Sequence, residues 1–198
     1  MAKKKKATQI VFLLDQTGSM ESCKKDTVGG FNVFLEEQKK EKNDLRFTLT
    51  LFNSAEIEKR HVKKSIKDVE PLSEKNYIPS NLTPLWDAIG NTIQDFPEEE
   101  KVMFVILTDG YENYSKEFKA DAVKLMIAEK EKSKGWKFMF LGADLANFND
   151  AQSIGVHFHF KVDKENMKGV YANLSHSVSA YASTGNLSYD GTDYKKKG

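Results

Sequence analysis

The chain has 198 residues, 39% of them hydrophobic and 30% charged, with 30 Lys+Arg against 29 Asp+Glu and a net charge of +1. That composition fits a globular protein with a sizeable core and argues against disordered or fibrous classes. The near-zero charge excludes a general nucleic-acid binder, but it is unevenly spread. Lys3 to Lys6 and Lys195 to Lys197 hold seven positive charges at the ends, leaving 23 basic against 29 acidic residues between them. Arg46 and Arg60 are the only arginines, so bidentate forks for phosphate are scarce. One cysteine, Cys23, rules out an internal disulfide and a Cys-rich zinc site. The lysine-rich start resembles a signal n-region, but Asp15 cuts short the apolar run behind it, so the expected location is cytoplasmic, with no membrane span.

In chain order, Ile10 to Leu14 is a continuous apolar run, the pattern of a strand buried on both faces. From about Glu21 to Lys40, Cys23, Thr27, Phe31, Phe34 and Leu35 recur at helical spacing, which places Cys23 in the core rather than as a reactive thiol. Leu45 to Phe52 alternates apolar residues with Arg46, Thr48 and Thr50, as a half-exposed strand does. Glu56 to Val62 reads as a polar edge strand, joined to it by a turn at Asn53-Ser54. After a loop, Pro84 to Phe96 is helical, with Leu85, Ile89 and Ile93 on one stripe.

Val102 to Leu107 is a second buried strand, followed by a helix expected to carry Phe118, Ala122, Leu125 and Met126 on one face. Then come a strand at Trp136 to Leu141, a short helix at Asn147 to Ser153 and a strand at Val156 to Phe160. His157 and His159 share a face of that strand, but no third ligand accompanies them, and strand pairing explains them equally well. A last helix presents Met167, Val170, Tyr171, Leu174, Val178 and Tyr181. This alternation implies an α/β domain over residues 8–182, doubly wound, with a mostly parallel sheet and helices on both faces. Residues 1–7 and 183–198 read as a basic tail and a flexible tail.

Sheets of this kind bind ligands at the carboxyl ends of their strands, where strand order reverses. The residues there are Asp15-Gln16-Thr17-Gly18-Ser19 after the first strand and Thr108-Asp109-Gly110 after Leu107, with Thr83 opening the middle helix. Together they offer carboxylates and hydroxyls, the hard oxygen donors that suit Mg²⁺ or Mn²⁺, with Ca²⁺ a weaker match. Taken alone, Thr83 before Pro84 is also an ordinary helix N-cap. Asp15 could likewise cap the first helix and Asp109-Gly110 form a plain turn.

Asp-x-Thr-Gly-Ser followed by Thr83 in Thr-Pro-Leu-Trp-Asp-Ala and Asp109 in Leu-Thr-Asp-Gly resembles the metal-ion-dependent adhesion site of von Willebrand factor type A domains. The resemblance runs over roughly residues 8–182 and is closest to stand-alone bacterial or phage members. It departs at Thr17, where the family more often has Ser. It implies a six-stranded sheet with one antiparallel edge strand. It also implies a cation held by Asp15, Thr17, Ser19, Thr83 and Asp109. Tyr111, Glu112, Asn113 and Asp144, which follow strand ends, read as the rim of that site and as candidates for setting partner choice. Ordinary loop solvation is the stronger reading for any one of them. The implied function is non-enzymatic, metal-dependent capture of an exposed Asp or Glu of a protein partner, with neither nucleic acid nor membrane involved. Two rivals are a metal-dependent phosphoryl-transfer enzyme and a structural subunit of a larger assembly, such as a phage particle. For the enzyme, Thr17 stands where a second acid is needed, no lysine suggests itself, and no P-loop motif occurs.

Overall fold

The computed structural model describes residues 7–97, 101–143, 145–162 and 164–187. β1 (Thr8–Asp15) is buried at every position, as its unbroken apolar run requires. Ile10, Phe12 and Leu14 point into one hydrophobic layer, and Val11 and Leu13 into the other. A 3-10 turn (Gly18–Cys23) leads into α1 (Lys24–Lys40), whose Thr27, Phe31, Phe34 and Leu35 are buried together with Cys23 of the turn. Burial pushes the Cys23 thiol pKa up, which suits a packing role.

β2 (Leu45–Phe52) runs parallel to β1, and β3 (Ile57–Ser65) returns antiparallel to β2. The Asn53 side chain accepts the backbone N–H groups of Ala55 and Glu56 and so closes the turn between them. β2 is not half-exposed. Only Arg46 reaches solvent, while Thr48 and Thr50 are buried. The Thr48 hydroxyl accepts hydrogen bonds from the Gln9 amide and the Lys63 backbone N–H, which lets a polar side chain enter the layer.

α2 (Leu85–Gln94) crosses to β4 (Val102–Thr108), which lies on the other side of β1. α3 (Ala120–Lys134) follows, but its buried face is Val123, Ile127 and Lys130. Ala122 and Leu125 are exposed, and Phe118 lies before the helix. Lys130 can be buried because its ammonium donates to the carbonyls of Phe96 and Pro97 and lies over the Trp136 ring. Phe118 instead packs above Gly90, where any Cβ would strike its ring at 2.7 Å.

β5 (Lys137–Gly142), α4 (Leu145–Ser153), β6 (Phe158–Lys161) and α5 (Met167–Thr184) complete the fold. All six residues of the expected α5 stripe are buried. His157 precedes β6 rather than sharing a face of it, and the His159 ring packs 5.3 Å from that of Phe148.

The sheet order is β3-β2-β1-β4-β5-β6, and every pairing except β2 with β3 is parallel. α1 and α5 cover one face, centred on Phe12, Phe31, Phe34, Phe47 and Tyr171. α2, α3 and α4 cover the other, around Phe104, Trp136 and Phe138. The chain leaves β1 toward β2 and later returns to β4 on the opposite side. The crevice at the carboxyl ends of β1 and β4 is therefore the point where strand order reverses.

Candidate metal centre

Asp15 ends β1 with no exposure and both carboxylate oxygens engaged. Oδ1 accepts the Thr17 backbone N–H at 2.6 Å, and Oδ2 accepts the Thr108 hydroxyl at 2.5 Å. Its backbone carbonyl accepts the Tyr77 hydroxyl at 2.5 Å. Burial raises the Asp15 carboxyl pKa from 3.8 to about 6, against the downward pull of the Thr108 and Thr17 hydrogen bonds. The neighbouring Asp109 charge adds to the rise. Burial also pushes the Tyr77 phenol well above its ordinary pKa, so it stays a donor.

The β1–α1 turn folds back onto its own hydroxyls. The Thr17 and Ser19 hydroxyls are 3.2 Å apart, and Ser19 Oγ donates to Asp109 Oδ1 at 2.5 Å. The Gly18 N–H donates to the Asn81 carbonyl, tying this turn to the segment that carries Thr83. The Thr83 hydroxyl is not a helix cap: α2 begins after Pro84 without any side-chain cap hydrogen bond. Its first-turn amides are satisfied from the loop instead, Trp86 N–H by the Glu112 carboxylate and Asp87 N–H by the Ser115 hydroxyl.

Gly110 locates the point where these groups meet. A Cβ there would lie 2.8 Å from Thr83 Oγ1, 3.2 Å from Ser19 Oγ and 3.6 Å from Asp15 Oδ2. Thr17 and Asp109 join the set through Ser19. The structure thus brings all five candidate ligands, two carboxylates and three hydroxyls, into one cluster in which Asp15, Thr17, Thr83 and Asp109 are buried and Ser19 is exposed. Among the described residues no group of three or more His, Cys, Asp or Glu side chains could hold a metal. The oxygen cluster is of another kind, and its donors fit a hard cation.

The rim residues are occupied in holding the loop. Glu112 accepts from Trp86, Tyr114 and Ser115 backbone N–H groups and from the Ser115 hydroxyl. Asn113 exchanges hydrogen bonds with the backbone of Thr83. Asp144 lies outside the described residues. Exposed around the crevice loops are Tyr111, Leu82 and Ile78.

Three participants beyond the strand-end residues emerge from the structure. Tyr77, whose hydroxyl donates to the Asp15 carbonyl, lies in an irregular loop. Asp87 accepts the backbone N–H groups of Lys116, Glu117 and Phe118 and fixes the loop after β4, which no local pattern announces. Lys164 forms an ion pair with Asp109 Oδ2 from more than fifty residues away, and nothing local foretells it.

No protein-family model and no curated protein matches this chain. Solved structures do match it in shape. The von Willebrand factor type A protein from Catenulispora acidiphila superposes with a TM-score of 0.58 at 9% identity, covering 88% of this chain and 43% of that one. The fold is von Willebrand factor type A-like. Proximal thread matrix protein 1 from the mussel byssus matches with a TM-score of 0.61 and 16% identity, over 85% of this chain and 46% of that one. The pilus adhesin SpaC from Lactobacillus rhamnosus GG matches at 0.65 and 11%, over 89% of this chain and 30% of that one. The chain therefore spans less than half the length of each of these three, and identities this low establish a type A-like fold alone. Among the described residues no helix is long and apolar enough to cross a membrane.

Proposed function

We propose that this chain is a divalent-cation-dependent protein-binding module. In this reading Thr17, Ser19 and Thr83 hold Mg²⁺ or Mn²⁺ through their hydroxyls, with the carboxylates of Asp15 and Asp109 binding directly or through water. When bound, the cation supplies a Lewis-acid position that accepts a carboxylate oxygen from an Asp or Glu of the partner. The observation that carries the proposal is the convergence of these oxygens on the space that Gly110 leaves open. The chain's own residues do the positioning. Thr108 and Thr17 hold the Asp15 carboxylate, Ser19 orients Asp109, and Glu112 with Asp87 fixes the loop that carries Gly110. Exposed Tyr111, Leu82 and Ile78 offer apolar contact for a protein surface around a carboxylate. That one fold neighbour is a pilus adhesin is consistent with a binding role.

Phosphoryl transfer is the second reading, favoured by Lys164 beside Asp109, the lysine that sequence inspection lacks. Against it, Asp15 is fully buried with both oxygens hydrogen-bonded, a poor posture for a nucleophile. Melting with and without Mg²⁺ or Mn²⁺ tests the first reading. At 100 times its dissociation constant the cation stabilises by about 2.7 kcal/mol, or about 5–10 °C for a domain of this size. Asp109→Ala abolishes most of that rise. An unmoved wild-type melting point contradicts the proposal, and hydrolysis of an aryl phosphate lost in Asp15→Asn favours the enzyme.

A further inference from the structure

Lys164 begins a one-turn 3-10 segment, Lys164–Asn166, between β6 and α5. Its side chain is 38% exposed and its ammonium is ion-paired with Asp109 Oδ2, while the Asp109 side chain is only 2% exposed. Among the described residues Asp109 Oδ2 has no partner besides this ammonium, which is its counter-charge. The other oxygen, Oδ1, is held by the Ser19 hydroxyl. A flexible, partly exposed side chain thus lays a positive charge on a carboxylate that faces the oxygen cluster. An ammonium and a divalent cation seek the same lone pairs, and two cations on one carboxylate repel each other.

We propose that Lys164 is a tethered competitor for the cation and sets the affinity of the centre. The proposal rests on the metal-site reading above. Without a divalent ion, the ammonium offsets the charge of Asp109 beside Asp15 and lets the site fold without metal. Loading requires the ammonium to leave Asp109, which its exposure and its single-turn backbone anchor permit. The centre therefore fills only when free cation outcompetes a permanently attached charge. The same side chain, once displaced, stays beside the site as a solvated positive group.

Calorimetric titration of Mn²⁺ into the wild-type chain, Lys164→Met and Lys164→Arg tests this at one pH and one ionic strength. Lys164→Met should bind Mn²⁺ about tenfold more tightly, within the range of coupling between neighbours in one ion-pair network. Lys164→Arg keeps the charge and should stay within about threefold of wild type. In melting experiments Lys164→Met should unfold earlier than wild type without metal, because Asp109 loses its counter-charge, and gain more from saturating Mn²⁺. Equal Mn²⁺ affinity in wild type and Lys164→Met overturns the proposal and leaves the metal site standing. Looser binding in Lys164→Met, or tightening in Lys164→Arg equal to that in Lys164→Met, overturns it as well. Absence of Mn²⁺ binding in all three proteins overturns both this proposal and the metal-site reading.

Discussion

Gly110→Ala places a methyl group against three of the five candidate ligands, Thr83, Ser19 and Asp15. Gly110 is not among the positive-φ glycines, so alanine meets no backbone penalty there. The new carbon would lie 2.8 Å from Thr83 Oγ1 and 3.2 Å from Ser19 Oγ, so the threonine hydroxyl must retreat by a few tenths of an ångström. Crowding of this kind costs about 1–3 kcal/mol, a fall of roughly 2–12 °C in the metal-free melting point. The larger consequence concerns the cation. Mg²⁺ needs oxygens at about 2.0–2.1 Å in near-ideal geometry, which a methyl group among the donors denies. Wild type should gain about 5–10 °C at a cation concentration 100 times its dissociation constant, and Gly110→Ala should gain almost nothing under the same conditions. Thermal melts followed by circular dichroism, with and without Mn²⁺, provide the comparison. A Mn²⁺-induced rise in Gly110→Ala equal to that of wild type would refute the placement of the site.

Adjacent glycines in α1 should respond in opposite directions. A Cβ at Gly29 meets nothing within 4 Å, so Gly29→Ala should stabilise by about 0.5–1 kcal/mol in urea unfolding. A Cβ at Gly30 would overlap the Tyr171 ring, so Gly30→Ala should destabilise by about 1–3 kcal/mol in the same assay. Asp87→Ala leaves the N–H groups of Lys116, Glu117 and Phe118 without their acceptor and should cost about 2–4 kcal/mol. Its amide exchange should rise mainly in residues 111–119, and uniform exchange across the chain would contradict that assignment. The Asp15 carboxyl has a folded pKa of about 6 against an ordinary 3.8, so in that window the folded chain holds a proton that the unfolded chain has lost. Its contribution to metal-free stability is therefore greatest below pH 4 and falls by about 3 kcal/mol as pH rises through 6. Asp15→Asn should remove that fall, and saturating Mg²⁺ should shrink it. A wild-type profile matching that of Asp15→Asn would show that Asp15 does not titrate in this way.

Much of the fold could be read locally because apolar periodicity is a local signal. The run Ile10 to Leu14 has no polar interruption, so it required cover on both faces, and it has it. The α5 stripe was readable for the same reason. Local sequence misleads where a polar side chain is buried by a partner distant in sequence. Thr48 passed for an exposed strand position, yet its hydroxyl is satisfied by Gln9 and Lys63. Lys130 hid the buried face of α3, because its ammonium finds carbonyls 33 and 34 residues away. The candidate site follows the same division. Asp15, Thr17 and Ser19 lie within one pentapeptide, and Asp109 follows an obvious strand. Thr83 was ambiguous with a helix cap until the structure supplied other partners for the α2 amides. Tyr77 and Lys164 act through tertiary proximity alone and carry no mark in the sequence, and Asp87 stands in the Thr-Pro-Leu-Trp-Asp-Ala run without any sign of its loop partners.

The most direct test is an anomalous-scattering map from crystals grown with Mn²⁺. A single strong peak among Asp15, Thr17, Ser19, Thr83 and Asp109, with the Lys164 ammonium withdrawn from Asp109, is the predicted result. A map with no peak at that point at saturating Mn²⁺, or with the metal bound only elsewhere on the chain, would contradict the account.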